Sequence, residues 1–169
     1  MKAWLAFLGL AAVTLRAALG DASLLADQAD RETFPLARAG AVVPLLVAAD
    51  DWTGVRRAVG DLRGDLEKVT GVRPVLAGAP EPAVRFAVII GTTGRSALID
   101  DLVARGKLDV GAIRGRWEAF QIETVEQPMP GVERALVIAG SDKRGTIYGI
   151  YELSQQIGVS PWAWWADVP

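Results

Sequence analysis

The 169-residue chain contains neither cysteine nor histidine. Without cysteine there are no disulfides and no thiol redox chemistry, even in an exported protein. Without histidine there is no Ser–His–Asp triad and no imidazole acid–base catalysis, and nearly all zinc sites are excluded. Any chemistry would fall to carboxylates, Lys, Arg or Tyr. A basic excess is also missing, since 18 Lys and Arg stand against 20 Asp and Glu. Such a balance supplies no field for holding nucleic acid phosphates. A long membrane-spanning run is lacking too. The uncharged stretch from Ala3 to Leu15 is too short to cross a bilayer.

What is present suits a globular protein, with 51% hydrophobic and 22% charged residues. Lys2 precedes the short apolar run, and Ala18-Leu19-Gly20 places small residues before Asp21. This pattern predicts a secretory signal over 1–20, with Arg16 placed awkwardly between run and cut. Cleavage there takes two of the 18 basic side chains and no acid, leaving 16 against 20. A secreted or periplasmic protein is expected.

Residues 21–40 form a lead-in of mixed polarity. Ala41 to Ala49 is a continuous apolar run, read as a buried strand that Pro44 makes an edge or a bulge. Asp50 or Asp51 is expected to cap a helix with Trp52, Val55, Val59, Leu62, Leu66 and Val69 on one stripe, closed by Gly71. Pro74 to Ala77 and Phe86 to Ile90 read as strands, the second feeding a helix with Leu98, Ile99, Leu102 and Val103 that ends at Gly106. Ala119 to Glu126 and Arg134 to Ala139, separated by Pro-Met-Pro-Gly, read as a hairpin. A last helix from about Asp142 to Ile157 carries Ile147, Ile150, Tyr151 and Ile157 on one face. The order predicts an α/β (α+β) domain over 41–160, a mixed β-sheet of about five strands flanked by about three helices.

Three stretches carry candidate function. Gly91-Thr92-Thr93-Gly94-Arg95-Ser96 invites an anion-binding reading at a helix N-terminus. Its spacing matches neither phosphate-loop pattern, and a tight strand-to-helix turn accounts for the same glycines. In Gly140-Ser141-Asp142-Lys143-Arg144-Gly145, Ser141 or Asp142 suits a cap, while Lys143 and Arg144 oppose the helix dipole. That opposition calls for an acidic neighbour or a ligand, with a structural interdomain salt bridge favoured over a substrate contact. Trp162, Trp164 and Trp165 could stack on sugar rings or glue a domain interface, and each offers roughly 150–250 Å² to bury. Asp167 beside them is a lone carboxylate, whereas glycoside hydrolysis needs a positioned pair. Asp142, Lys143, Arg144, Trp162, Trp164 and Trp165 are therefore the substrate-binding or interdomain candidates. No catalytic residue, metal ligand or cofactor is assigned.

The stretch GSDKRGTIYGIYELSQQIGVSPWAWWADVP, preceded by WEAFQIETVEQPMPGVERALVIA and by VIIGTTGRSALIDDL, resembles the N-terminal domain of glycoside hydrolase family 115. The resemblance covers about residues 41–169. Members of that family are xylan α-1,2-glucuronidases, which remove (4-O-methyl)glucuronic acid branches from glucuronoxylan with inversion. It implies an accessory domain, inactive alone, whose partners are glucuronoxylan through the full-length enzyme and a catalytic (β/α)₈ barrel. That barrel is expected to follow 161–169, read as the start of a linker. The family's catalytic acids lie in the barrel, so none is carried over. The family pattern favours an aromatic residue where this chain has Ala163, which weakens the sugar-platform reading. Two other readings stand beside this one, a stand-alone acidic-carbohydrate-binding module and a small anion- or nucleotide-binding protein.

Overall fold

A computed structural model describes residues 33–38, 40–79 and 84–159. The signal expected over 1–20, most of the lead-in, and the indole cluster Trp162, Trp164 and Trp165 lie outside the described residues. The elements run β1 (Ala37–Arg38), β2 (Ala41–Val42), β3 (Leu45–Val47), α1 (Thr53–Thr70), β4 (Leu76–Ala77), β5 (Phe86–Thr92), α2 (Ala97–Ala104), β6 (Phe120–Met129), β7 (Val132–Gly140) and α3 (Lys143–Gln156). β1 and β2 pair alone. The other strands form a mixed sheet in the order β4-β3-β5-β7-β6, an α/β fold as the sequence predicts. β4, β3, β5 and β7 are parallel, and β6 returns antiparallel along the edge.

Strand alternation divides the core in two. Leu45, Val88, Ile90 and Ile138 face α1 and α3, where Val55, Val59, Leu62, Leu66, Ile150 and Leu153 are buried. Leu46, Ala87, Ile89 and Val137 face the other way, onto Ile99 and Leu102 of α2 and onto Leu108, Val110 and Ile113. A strand buried on both sides needs apolar residues at every position, which is why Phe86–Ile90 is an unbroken run.

Four expectations are corrected. The run from Ala41 to Ala49 does not form one edge strand. It breaks at Pro44 into β2 and β3, and β3 lies inside the sheet between β4 and β5. Pro44 sits just before β3, where its missing N–H is not required, and its carbonyl accepts from Val88 N at 2.9 Å. Asp51 does not cap α1 by side chain. Trp52 holds the cap position without a side-chain bond, because the Asp51 carboxylate is committed elsewhere. Trp52 and Val69, placed on the apolar stripe, are exposed, and Ala58 completes the buried face instead. Tyr151 also leaves its apolar face. Its hydroxyl donates to Asp61 Oδ2 on α1 at 2.8 Å, and burial together with that carboxylate pushes its pKa up to about 12.

The hairpin is longer than its sequence signal. β6 runs to Met129, and Pro130-Gly131 makes the turn, with Gly131 at φ 86°. Between Glu126 and Met129 the register shifts, and Gln127 takes φ 47°. This bulge surrounds Pro128, which is tolerable because β6 is an edge strand.

Candidate functional site

The chain leaves β3 through α1 towards β4, but leaves β5 through α2 towards the β6–β7 hairpin on the other side. The connections therefore diverge between β3 and β5. In open parallel sheets such a divergence opens a crevice beyond the carboxyl ends of the strands, where ligands commonly bind. At that edge the chain carries Asp51 and Trp52 after β3, Thr92 at the end of β5 and Arg95 beyond it.

Asp51 is buried at this switch point. Only 4% exposed, its carboxylate accepts from Thr92 N at 2.8 Å, from Thr92 Oγ1 at 2.9 Å and from Trp52 N at 2.6 Å. Thr92 Oγ1 lies 2.8 Å from Thr146 Oγ1, which in turn reaches the Asp142 carbonyl at 2.9 Å. This network ties the segments after β3, β5 and β7 together. A buried charge is tolerated only when its lone pairs are satisfied in this way. Above it, the Arg95 guanidinium sits 4.7 Å from the centroid of the half-exposed Trp52 ring.

The loop from Gly91 to Ser96 offers no anion cradle. Thr92 N donates to Asp51, Thr93 N to the Gly140 carbonyl, and Gly94 N to Asp100 Oδ1 at 2.7 Å. Arg95 N and Ser96 N both donate to the Thr92 carbonyl. Every amide from 92 to 96 is thus used inside the fold, as the tight strand-to-helix turn requires. Gly91 serves close approach, since a Cβ there would collide with the Ser96 side chain.

At the start of α3, Asp142 is the cap. Its carboxylate accepts from Gly145 N and from Glu118 N, each at 2.8 Å. Burial works against this carboxylate, but donation from the Glu118, Gly145 and Arg144 amides, with the Arg144 charge, wins and lowers its pKa. Arg144 pairs with Glu118 Oε1 at 2.9 Å and with Tyr148 Oη at 2.8 Å, and these two partners raise its pKa. The compensation that its unfavourable first-turn position requires comes from the turn before β6, within the domain. Lys143 points elsewhere, its stem lying beside Gly54 at the start of α1.

Of the six candidate residues, Asp142 and Arg144 converge on Glu118, Lys143 diverges towards α1, and the three tryptophans lie outside the described residues. Asp51, Thr92, Arg95 and Thr146 form the centre of this edge without having been singled out as site residues. Asp51 carried a usable signal, being the second acid directly after a buried strand. Among the described residues, no three His, Cys, Asp or Glu side chains converge to hold a metal ion. Nor is any described helix long and apolar enough to cross a membrane.

The fold and its edge define a layered α/β domain organised around one switch point. No family model matches the chain, and no curated protein does. Among solved structures it is similar to a family GH115 4-O-methyl-alpha-glucuronidase, BtGH115A, with specificity for decorated arabinogalactans. The match has a TM-score of 0.60 and 33% identity, and it covers 74% of this chain but 14% of that one. The chain is therefore related in sequence and fold to part of a GH115 glucuronidase.

Proposed function

We propose that this chain is the N-terminal accessory domain of an exported GH115-type α-glucuronidase, inactive alone and completed by a catalytic barrel. The observation that carries this reading is the lopsided match, most of this chain against a seventh of a much larger enzyme. The chemistry of the carboxyl edge agrees with it. Glycoside hydrolysis needs two carboxyl groups free to act on a bond held between them. Asp51 and Asp142 are instead held by backbone amides, and Glu118 is paired with Arg144. The substrate is a polysaccharide bearing (4-O-methyl)glucuronic acid branches. Glucuronoxylan follows from the terminal motif, and decorated arabinogalactan is the specificity of the similar enzyme BtGH115A. The uronic acid branch is common to both.

Purified chain incubated with glucuronoxylan, and separately with a glucuronate-decorated arabinogalactan, should release no uronic acid above background. Release that scales with protein would overturn the accessory reading. Sequencing the transcript beyond the Pro169 codon supplies the positive arm, with a barrel-coding frame as the expected result.

A further inference from the structure

The largest exposed side chain of the described residues is Trp117, 90% accessible. It belongs to Arg114-Gly115-Arg116-Trp117-Glu118, the turn that leads into β6 at the carboxyl edge of the sheet. An indole so fully in water needs a rigid reason to stay there, and the local backbone gives one. Glu118 takes φ 55°, an unfavourable conformation for a residue with a side chain. Three contacts enforce it. Glu118 N donates to the Asp142 carboxylate, Ala119 N donates to Ser141 Oγ at 3.1 Å, and the Ala119 carbonyl accepts from Ser141 N at 2.8 Å. The Ala119 carbonyl also presses on α3 where Gly145 has no Cβ. Strain that the surroundings over-determine is a marker of functional sites, read from the outlier to the function.

The charges around this indole have one sign left over. Glu118 is neutralised by Arg144. Arg114 and Arg116 are exposed, and no acidic partner is recorded for either among the described residues. An exposed apolar face with two exposed arginines within three residues of it in sequence suits a sugar ring that carries a carboxylate. The ring's C–H face lies on the indole, and the carboxylate takes charge-assisted bonds from arginine. Trp and Arg also anchor protein interfaces, and a failure of acidic saccharides to bind is the outcome that such a partner predicts.

We infer that Trp117, with Arg114 and Arg116, is a surface binding site for uronic-acid-bearing saccharides, lying outside the switch-point crevice. The ligand class rests on the function proposed above, but the site does not depend on a barrel following the chain. The test is calorimetric titration of the full chain with glucuronate-bearing xylo- and arabinogalacto-oligosaccharides and with their neutral counterparts. Acidic oligosaccharides should bind, and neutral ones should bind about tenfold more weakly, the equivalent of roughly 1.4 kcal/mol. Added salt should weaken the acidic ligands selectively. Trp117→Ala and the double change Arg114→Gln with Arg116→Gln should each remove most of the affinity. Lys107→Gln, an exposed charge beyond the end of α2, should retain it. Circular dichroism melts of each variant should match the parent, because the altered side chains are exposed.

Absence of binding by a folded chain overturns the inference, as does unchanged binding by Trp117→Ala. So does self-association that depends on Trp117 without sugar binding, read by sedimentation velocity. Binding that persists although the transcript lacks a barrel-coding frame leaves this inference standing while the accessory-domain reading falls.

Discussion

The two ends of the sheet are held by different physics. At the carboxyl end, buried side-chain hydrogen bonds and close backbone approaches join segments far apart in sequence. Asp51 reaches Thr92, Thr92 meets Thr146, and Asp142 holds Glu118. Glycines there provide room, as at Gly140, whose missing Cβ admits Thr146, and at Gly145, whose missing Cβ admits Ala119. The opposite end relies on turns and exposed ion pairs. Gly71, Gly106, Gly131 and Gly158 reverse the chain at positive φ with open space around them. Arg85 and Glu133 pair across the surface at 2.7 Å, with side chains 71% and 52% exposed. One end specifies positions and the other closes loops. A ligand-binding edge must do the first.

That contrast can be broken by substitution. The largest effect is expected for Gly145→Ala, where the new methyl meets the Ala119 backbone and cannot be relieved by a rotamer change. It should cost roughly 3 kcal/mol or more, read as a lowered urea midpoint. If Gly145→Ala unfolds like the parent, the close packing of α3 on the turn before β6 is wrong. Asp51→Ala comes next, at about 3 kcal/mol, because it leaves the Thr92 amide buried without an acceptor and also removes the bonds from Thr92 Oγ1 and Trp52 N. A loss below about 1 kcal/mol, the net worth of one ordinary hydrogen bond, would show that this network does not organise the edge.

Asp142→Ala should cost about 1–2 kcal/mol through the lost cap. Its pH dependence has a definite sign. The folded pKa lies below the ordinary 3.8, so the contribution is complete above that value and is lost as pH falls through the folded pKa. Thermal melts from neutral pH downwards should show the parent losing stability below about pH 4, with a shallower fall in Asp142→Asn. An identical acid profile in the two proteins would remove Asp142 from the linkage. The smallest effect is expected at the opposite end. Arg85→Ala should change stability by less than about 1 kcal/mol, and salt should erase most of that. A larger loss there would dissolve the distinction between the two ends.

Much of the fold was legible because each signal was local. The double-sided run at Phe86–Ile90, the stripe from Val55 to Leu66, and the turn glycines Gly71 and Gly131 each declare their conformation within a few residues. The corrections share an opposite cause. Asp51 looked like a cap because caps are local, while its actual partner Thr92 lies 41 positions away. Tyr151 looked apolar by its helical phase, while Asp61 waits for its hydroxyl 90 positions away. The candidate edge was half legible. The opposition of Arg144 to the helix dipole asked for an acidic neighbour or a ligand, with an interdomain salt bridge favoured, and nothing near it in sequence identified Glu118 of the same domain. Trp117 gave no periodic signal at all, sitting in a Gly- and Arg-rich connection whose shape comes from contacts with α3.

The sheet's outer margins have a further consequence. On one side β4 offers only two residues for pairing, and on the other the kink at Gln127 and Pro128 interrupts β6. The β4 rim gives another molecule almost no row of amides to copy, and the β6 rim gives one of seven residues, Phe120 to Glu126, before the kink ends it, so strand-by-strand growth into fibrils is limited at both borders. Crowding would then favour sticking through exposed rings such as Trp117 over cross-β deposits.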